Sequence, residues 1–456
     1  MKYYITLLDY LLLPIYLGLI YAVASYIRNR FYPEGHPWRQ YFMPALTIKI
    51  IGSVFISFIY QYYYGGGDTA EYFKQARTIN SAFTDSPGKW FNLMLHIPKW
   101  YDGDYFIYIN SNLNPDRIYW YDAAPEYMIV RIIALVSFVT FNYYLPTSVL
   151  IGALSFTGVW ALFRILSTFY PHLTRYIAIA ILFIPSLALW CSGIFKDTVC
   201  LAGIGWLSFA ALRMLVYRDF SLSNIALGVL SLYLISVIKI YILIAFLPAL
   251  ALWVMFIYLQ NVRSGFFRFM LMIPVVAGVI FGFSVATSKM SATLGKYSLE
   301  NMATTAQVTR DWINQTSTDE SIGYDLGAFE PNLLGMMKKL PLAVNVTLFR
   351  PYIWETKKLI QLITALEAAA FFLLTLKVLI SVGLRRVWAA ILSDPTIQFC
   401  LIFTLIFAFA VGISSYNFGT LSRYRTPCLP FYALSIILIY YKYNDPREKN
   451  LLSLKG

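Results

Sequence analysis

Long apolar runs constrain this chain more than any other feature. Ile5 to Tyr26, Met43 to Tyr63, Thr147 to Phe169 and several later stretches approach or exceed the roughly 18 residues that a helix needs to cross a bilayer. The composition agrees, with 59% of the 456 residues hydrophobic and only 13% charged. Soluble domains carry about twice that charge. The expected fold class is therefore all-α, a polytopic membrane protein. The first apolar stretch lacks a small-residue cleavage site and reads as a retained helix.

The net charge of +13 does not point to nucleic acid, because the basic residues fall in short clusters beside apolar segments. Such clusters mark cytoplasmic loops. Cys191, Cys200, Cys400 and Cys428 lie in or at the ends of apolar runs, with no metal-ligand spacing, and read as buried thiols. There is no internal repeat and no low-complexity segment.

The same charge rule orders the helices. Arg28, Arg30 and Arg39 follow the first helix and mark a cytoplasmic loop. The second helix, Met43 to Tyr63, then delivers GGGDTAEYF to the outer side. Further clusters at Arg213/Arg218, Arg263/Arg268, Arg385/Arg386 and Lys442/Arg447/Lys449 fix the later crossings. These are expected at Thr147–Phe169, Tyr176–Trp190, Thr198–Tyr217, Leu222–Ile238, Tyr241–Gln260, Arg268–Ala286, Leu359–Ile380, Ile397–Ile413 and Pro427–Tyr441. Parity holds only if Tyr127–Tyr144 lies on or dips into the outer interface. About eleven crossings result, with the amino terminus outside and the carboxyl terminus inside. Charge alone leaves the opposite orientation open.

The expected organisation is then five segments. Residues 1–63 form the first helices, and 64–146 an outer loop with interfacial helices at Ala70–Phe83 and Trp90–Trp100. Residues 147–286 form a helical bundle, 287–358 a second outer region, and 359–456 the last helices with a cytoplasmic tail.

Several cations fall at outer helix ends against the usual bias: Lys196, Lys239, Arg350, Arg423 and Arg425. Each needs an anionic partner, either a protein carboxylate or a ligand phosphate. For Lys196 and Lys239 both readings stand, with Asp197, Glu355 and loop acids as candidate partners. For SRYRTP, two arginines around Tyr424 before a proline, a bidentate phosphate clamp is favoured. Glu367, inside a crossing, is expected to pair with another buried polar group.

Among the carboxylates, Asp68 follows three glycines, which allow a tight turn and close backbone approach to a ligand. It also reads as an N-cap, with Glu71 closing a capping box. Asp102 and Asp104 form a DxD pair that could hold Mg or Mn, although Asp is common in turns. Asp122 and Glu126 flank a proline turn. His36, His96 and His172 are scattered, and no HExxH, GxSxG or P-loop occurs. Neither a hydrolase triad nor nucleotide-driven chemistry is indicated.

The stretch GDTAEYFKQA at an outer helix end resembles the first outer loop of the GT-C superfamily of integral membrane glycosyltransferases. PEYMIVRIIALVSF resembles that family's following surface helix, IPSLALWCSGIFKD its acidic outer turn, and SRYRTPCLPFYAL its late arginine-proline loop. The resemblance runs from about Tyr60 to Tyr441. Two features depart from the pattern: an additional helix precedes the loop, and no large soluble domain follows the last crossing.

The resemblance implies a GT-C-like fold and a transferase using a polyprenyl-phosphate sugar donor. The acceptor would be a glycan, lipid or protein at the periplasmic face of a bacterial inner membrane. It implies Asp68 as the catalytic base. Arg423, Arg425, Arg350 and Lys196, with Tyr424 and Glu71, would bind substrate. No cofactor is expected to be essential, and membrane lipids but no nucleic acid are expected partners. A polysaccharide polymerase or ligase using lipid pyrophosphate remains an alternative within enzymes, and a transporter or lipid flippase one outside them.

Overall fold

A computed structural model describes residues 4–99, 101–109, 116–260, 262, 264–289, 304, 307–308, 323–327, 329–330, 332–357 and 359–444. Apart from one isolated bridge between Gly323 and Asn417, the described residues form helices and their connections. Among the described residues, seven helices are long and apolar enough to cross a membrane. The chain is thus a helical, multi-pass membrane protein.

These seven are α1 (Leu7–Phe31), α2 (Arg39–Phe58) with the π-turn Ile59–Tyr63, α7 (Tyr144–Phe169), α10 (Lys196–Leu215), α11 (Leu222–Leu259), α15 (Leu359–Val382) and α17 (Pro395–Ser415). The intervening elements are α3 (Asp68–Asp85), α4 (Pro87–Leu95), α5 (Phe106–Ile109), α6 (Ala124–Val139), α8 (Thr174–Leu182), α9 (Pro185–Trp190), α12 (Gly265–Lys289), α13 (Leu333–Lys338), α14 (Leu340–Phe349), α16 (Leu384–Ser393), α18 (Phe418–Tyr424) and α19 (Leu429–Asn444).

Three differences from the expected crossings have local causes. Tyr176–Trp190 is not one helix but the short pair α8 and α9. The residue before a proline is steered away from helical geometry, and Ile184 precedes Pro185. Leu222–Ile238 and Tyr241–Gln260 instead form one run, broken at Lys239, whose φ of −149° and ψ of 71° are not helical. A straight 38-residue helix would be about 57 Å long, nearly twice a bilayer core, so each half is of bilayer length. Finally, α6 and α19 have 16 residues each, short of a full crossing. The second outer region, 287–358, is described mainly through α13 and α14. Trp100, Arg263, Arg447 and Lys449 lie outside the described residues.

The chain divides into two compact units. The first comprises Met1–Arg164, Leu187–Leu207 and Leu227–Lys239. Its transmembrane core depends on small residues. A Cβ on Gly158 would stand 2.2 Å from the Ala202 carbonyl oxygen, and one on Gly205 would stand 2.0 Å from that of Gly158. So α7 and α10 touch backbone to backbone, the usual solution where lipid supplies no hydrophobic drive for helix association.

In the same unit α3 is more enclosed than a helix lying on the interface. Ala70, Phe73, Ala76, Ile79 and Ala82 are buried, as are Gln75 and Asn80. Asn80 Nδ2 donates to Ala134 O at 3.0 Å and Ser137 Oγ at 3.0 Å, both on α6. Its Oδ1 accepts from Trp90 Nε1 of α4 at 3.0 Å. One amide therefore joins three helices. The helix α4 stops at Leu95, where His96 turns left-handed (φ 59°), short of the expected Trp100.

The second unit comprises Ile165–Ser186, Ser208–Ala226 and Ile240–Gly456. Here α14 packs closely on α17, with Thr347 Oγ1 donating to Ala408 O at 2.7 Å. Phe403, Phe407 and Phe431 fill the core between α17 and α19. Trp253 stacks on Phe399 with centroids 4.2 Å apart. All four cysteines are buried thiols, as the sequence suggests.

Candidate functional site

In the first unit the most specialised backbone is the exit from α2. The π-turn Ile59–Tyr63 widens the last helical turn, and the Gly66 amide donates back to Tyr60 O at 2.8 Å. Gly65, Gly66 and Gly67 follow with φ of 69°, 139° and 117°. Three successive positive-φ residues are accessible to glycine and costly for anything else. A Cβ on Gly67 would also lie 3.0 Å from the Tyr60 ring. The triple glycine is thus a steric requirement of this reversal, which starts α3 immediately beneath the end of α2.

Gly67, and not Asp68, occupies the N-cap of α3. Asp68 is the first residue of the helix and is exposed. The expected capping box is therefore not formed. The Glu71 carboxylate accepts instead from Tyr119 Oη at 2.7 Å. Partial burial and this hydrogen bond push the Tyr119 phenol pKa above its ordinary value. Asp68 still gains from the N-terminal end of the helix dipole. Its neighbour Thr69 is buried, with Oγ1 accepting from Tyr144 Oη at 2.7 Å, which fixes the first turn of α3 to α7. On the other side, Gln61 Oε1 in the π-turn accepts from the Tyr4 amide at 2.8 Å.

The turn SGIFKD lies beside this reversal, since the Tyr60 and Phe195 rings are 5.3 Å apart. Gly193 has φ 75°, and a Cβ there would sit 2.8 Å from Ser148 Oγ. Lys196 and Asp197 then open α10 with opposite assignments. Lys196 Nζ pairs with Glu126, both half-exposed. Asp197 Oδ1 pairs with Lys239 Nζ at 2.5 Å, and both are buried. The carboxylate reading of Lys196 and Lys239 is the one realised here. The break in α11 has a clear use, because it carries Lys239 to the first turn of α10.

In the second unit Arg425 is wholly buried. Nη1 donates to Thr347 O at 3.3 Å and Arg350 O at 3.0 Å. Nη2 donates to Thr364 O at 3.3 Å and Glu367 Oε1 at 3.0 Å. Glu367 also accepts from the Ser186 amide and hydroxyl, each at 2.7 Å. Both terminal nitrogens are used by the protein, so Arg425 is a strut between helices and offers no face to a phosphate. That corrects its assignment to a clamp, and it supplies the partner expected for Glu367.

Arg350 forks onto Glu355 and lies over the Phe418 ring at 5.2 Å. Arg423 and Tyr424, half-buried, form the end of α18. Asp102 caps the short turn Gly103–Tyr105, accepting from the Asp104 amide at 3.3 Å. Among the described residues, no three His, Cys, Asp or Glu side chains gather as metal ligands would.

Two groups with a part in this region were not singled out from sequence. Tyr119, which holds Glu71, gives no sequence signal because tyrosines crowd the outer loops. Lys49 does, being a lone charge in an apolar run. It is buried near the middle of the α2 span, with Nζ donating to Cys191 O.

Comparison of the chain with protein-family models, with curated proteins and with solved structures returned no match.

Proposed function

We propose that this protein is an integral membrane glycosyltransferase that takes a sugar from a polyprenyl-phosphate carrier and transfers it to an acceptor hydroxyl. The observation that carries this reading is the position of Asp68. It is an exposed carboxylate on a helix start pinned by Thr69 and Tyr144, directly beyond a transmembrane helix. A structural cap would not need that chain reversal, since Gly67 fills the cap position.

In the proposed chemistry Asp68 is the general base, taking the proton as the acceptor oxygen attacks the anomeric carbon. The bond to the carrier phosphate breaks, and cations stabilise the departing phosphate. Lys196 fits this role within the same unit, where its half-buried pairing with Glu126 would have to open. Arg350, Arg423 and Tyr424 belong to the second unit and are given no part in this step. Direct displacement inverts the anomeric carbon. No step requires Mg or Mn at Asp102 and Asp104. The reading places the site at the periplasmic face of a bacterial inner membrane, within a GT-C-like arrangement of about eleven crossings.

The test is transfer from a labelled polyprenyl-phosphate sugar in proteoliposomes, followed by mass spectrometry of both carrier and product. Asp68→Asn is expected to lower turnover by about 100-fold or more, in line with loss of a general base, while leaving protein yield unchanged. Full activity in that variant would remove the base. A lipid-pyrophosphate polymerase would show that insensitivity.

One observation favours the rival class. Lys49 is an ionisable group buried within a span, and such groups often line transport pathways. Movement of labelled lipid or solute across sealed vesicles without a covalent product, abolished by Lys49→Met, would favour transport.

A further inference from the structure

The second unit contains a cavity of about 410 Å³ between α8, α15 and α19. Its walls are apolar, formed by residues such as Ile179, Phe183, Phe371, Leu374, Ala433 and Ile436. The floor is Glu367, already saturated by Arg425 and the two Ser186 donors. It therefore has no charge left to recruit a polar ligand. Ten residues further along α15, about 15 Å by helical rise, Lys377 lines the opposite end.

That end is both cationic and aromatic. Lys377 Nζ lies 5.4 Å from the Tyr440 ring centroid, and Tyr176 and Tyr441 are in contact at 4.2 Å. Arg175 opens α8 and is exposed, and Lys442 follows the tyrosines, bonded to Ser393 Oγ at 2.8 Å. Directly after α15 comes α16, with Arg385 and Arg386 exposed beside an exposed stripe of Leu384, Trp388 and Leu392. Such a helix lies in a membrane interface. Asp394, the described carboxylate that follows α16, is engaged by Tyr170 Oη and by the amides of Thr396 and Ile397.

An apolar slot of chain length, a neutralised floor and a basic mouth flanked by tyrosines match a single ligand chemistry. We propose that this groove holds one acyl chain of an anionic phospholipid whose phosphate sits at the Lys377–Tyr440 mouth. Apolar contact supplies residence, while the cations select the headgroup. This site is separate from the transferase reading of Asp68 and does not depend on it.

The experiment uses the full chain in nanodiscs of equal phosphatidylglycerol and phosphatidylcholine, released into native mass spectrometry to identify retained lipid. The wild type is expected to retain phosphatidylglycerol preferentially. Lys377→Gln should reduce that preference about tenfold, the effect of one lost charge-assisted contact, and Lys377→Arg should restore it. Ala433→Trp, which fills the slot, should abolish retention of both lipids while Lys377 remains. Monodisperse elution of each variant establishes folding. Equal retention of the two lipids by the wild type, an unchanged preference in Lys377→Gln, or unchanged retention in Ala433→Trp would overturn the proposal.

Discussion

Replacing Arg425 by leucine tests whether this arginine is a structural strut or a ligand clamp. Its four hydrogen bonds reach α14, the turn at Arg350 and α15, and its side chain is fully buried. Leucine would leave Glu367 with only the Ser186 donors and three backbone carbonyls with one donor fewer. Breaking a buried pair by removing one partner costs about 3–5 kcal/mol, mostly through the charge left behind. The lost carbonyl bonds, about 1 kcal/mol each at most, place the expected value in the upper part of that range. In Arg425→Leu/Glu367→Leu neither charge of this pair remains buried. The double variant is therefore expected to be about 1–3 kcal/mol more stable than Arg425→Leu alone. Reversible unfolding in mixed SDS micelles, followed by tryptophan fluorescence, measures both. A stability within 1 kcal/mol of wild type for Arg425→Leu, accompanied by loss of transferase activity, would refute the strut and reinstate the clamp.

Four further outcomes are expected. Gly67→Ala, at φ 117° and against the Tyr60 ring, should cost about 1–2 kcal/mol in the same unfolding assay, whereas Gly18→Ala, with open space around it, should be neutral or stabilising. Gly158→Leu should separate α7 from α10 and destabilise by about 1–3 kcal/mol or more, since the obstruction is backbone. Lys196→Met should change stability by less than about 1 kcal/mol, so a large fall in sugar transfer by that variant would report chemistry, while unchanged transfer would remove Lys196 from the site. Asp197→Asn should cost about 3–5 kcal/mol, because Lys239 is left buried without its carboxylate; a small effect would mean that water reaches the pair.

Much of the architecture is legible because its cause is local. Apolar runs became helices, and the break between Ile238 and Tyr241 falls at Lys239 as the charge pattern implied, whereas the expected crossing Tyr176–Trp190 ran through the break before Pro185. The glycines before Asp68 announced an unusual turn, and all three adopt conformations only glycine enters readily. Sequence also marked Lys196, Lys239, Arg350 and Arg425 as cations in need of partners. For Lys196 and Lys239 it left carboxylate and phosphate unranked, and for Arg425 it favoured phosphate where the structure supplies Glu367, because pairing depends on which helices come together. Glu126 is 70 residues from Lys196, and Glu367 is 58 from Arg425.

The sequence by itself determined the solvent this chain lives in, its helices, and the places where a helix must stop or a charge must be compensated. Those follow from side-chain transfer energies and backbone sterics within a few residues. Tertiary structure alone decided that Gly67 caps α3, that Tyr119 holds Glu71, and that Arg425 is spent inside the protein. A buried donor bonds to whichever acceptor packing brings within about 3 Å, and that distance is set by distant helices meeting.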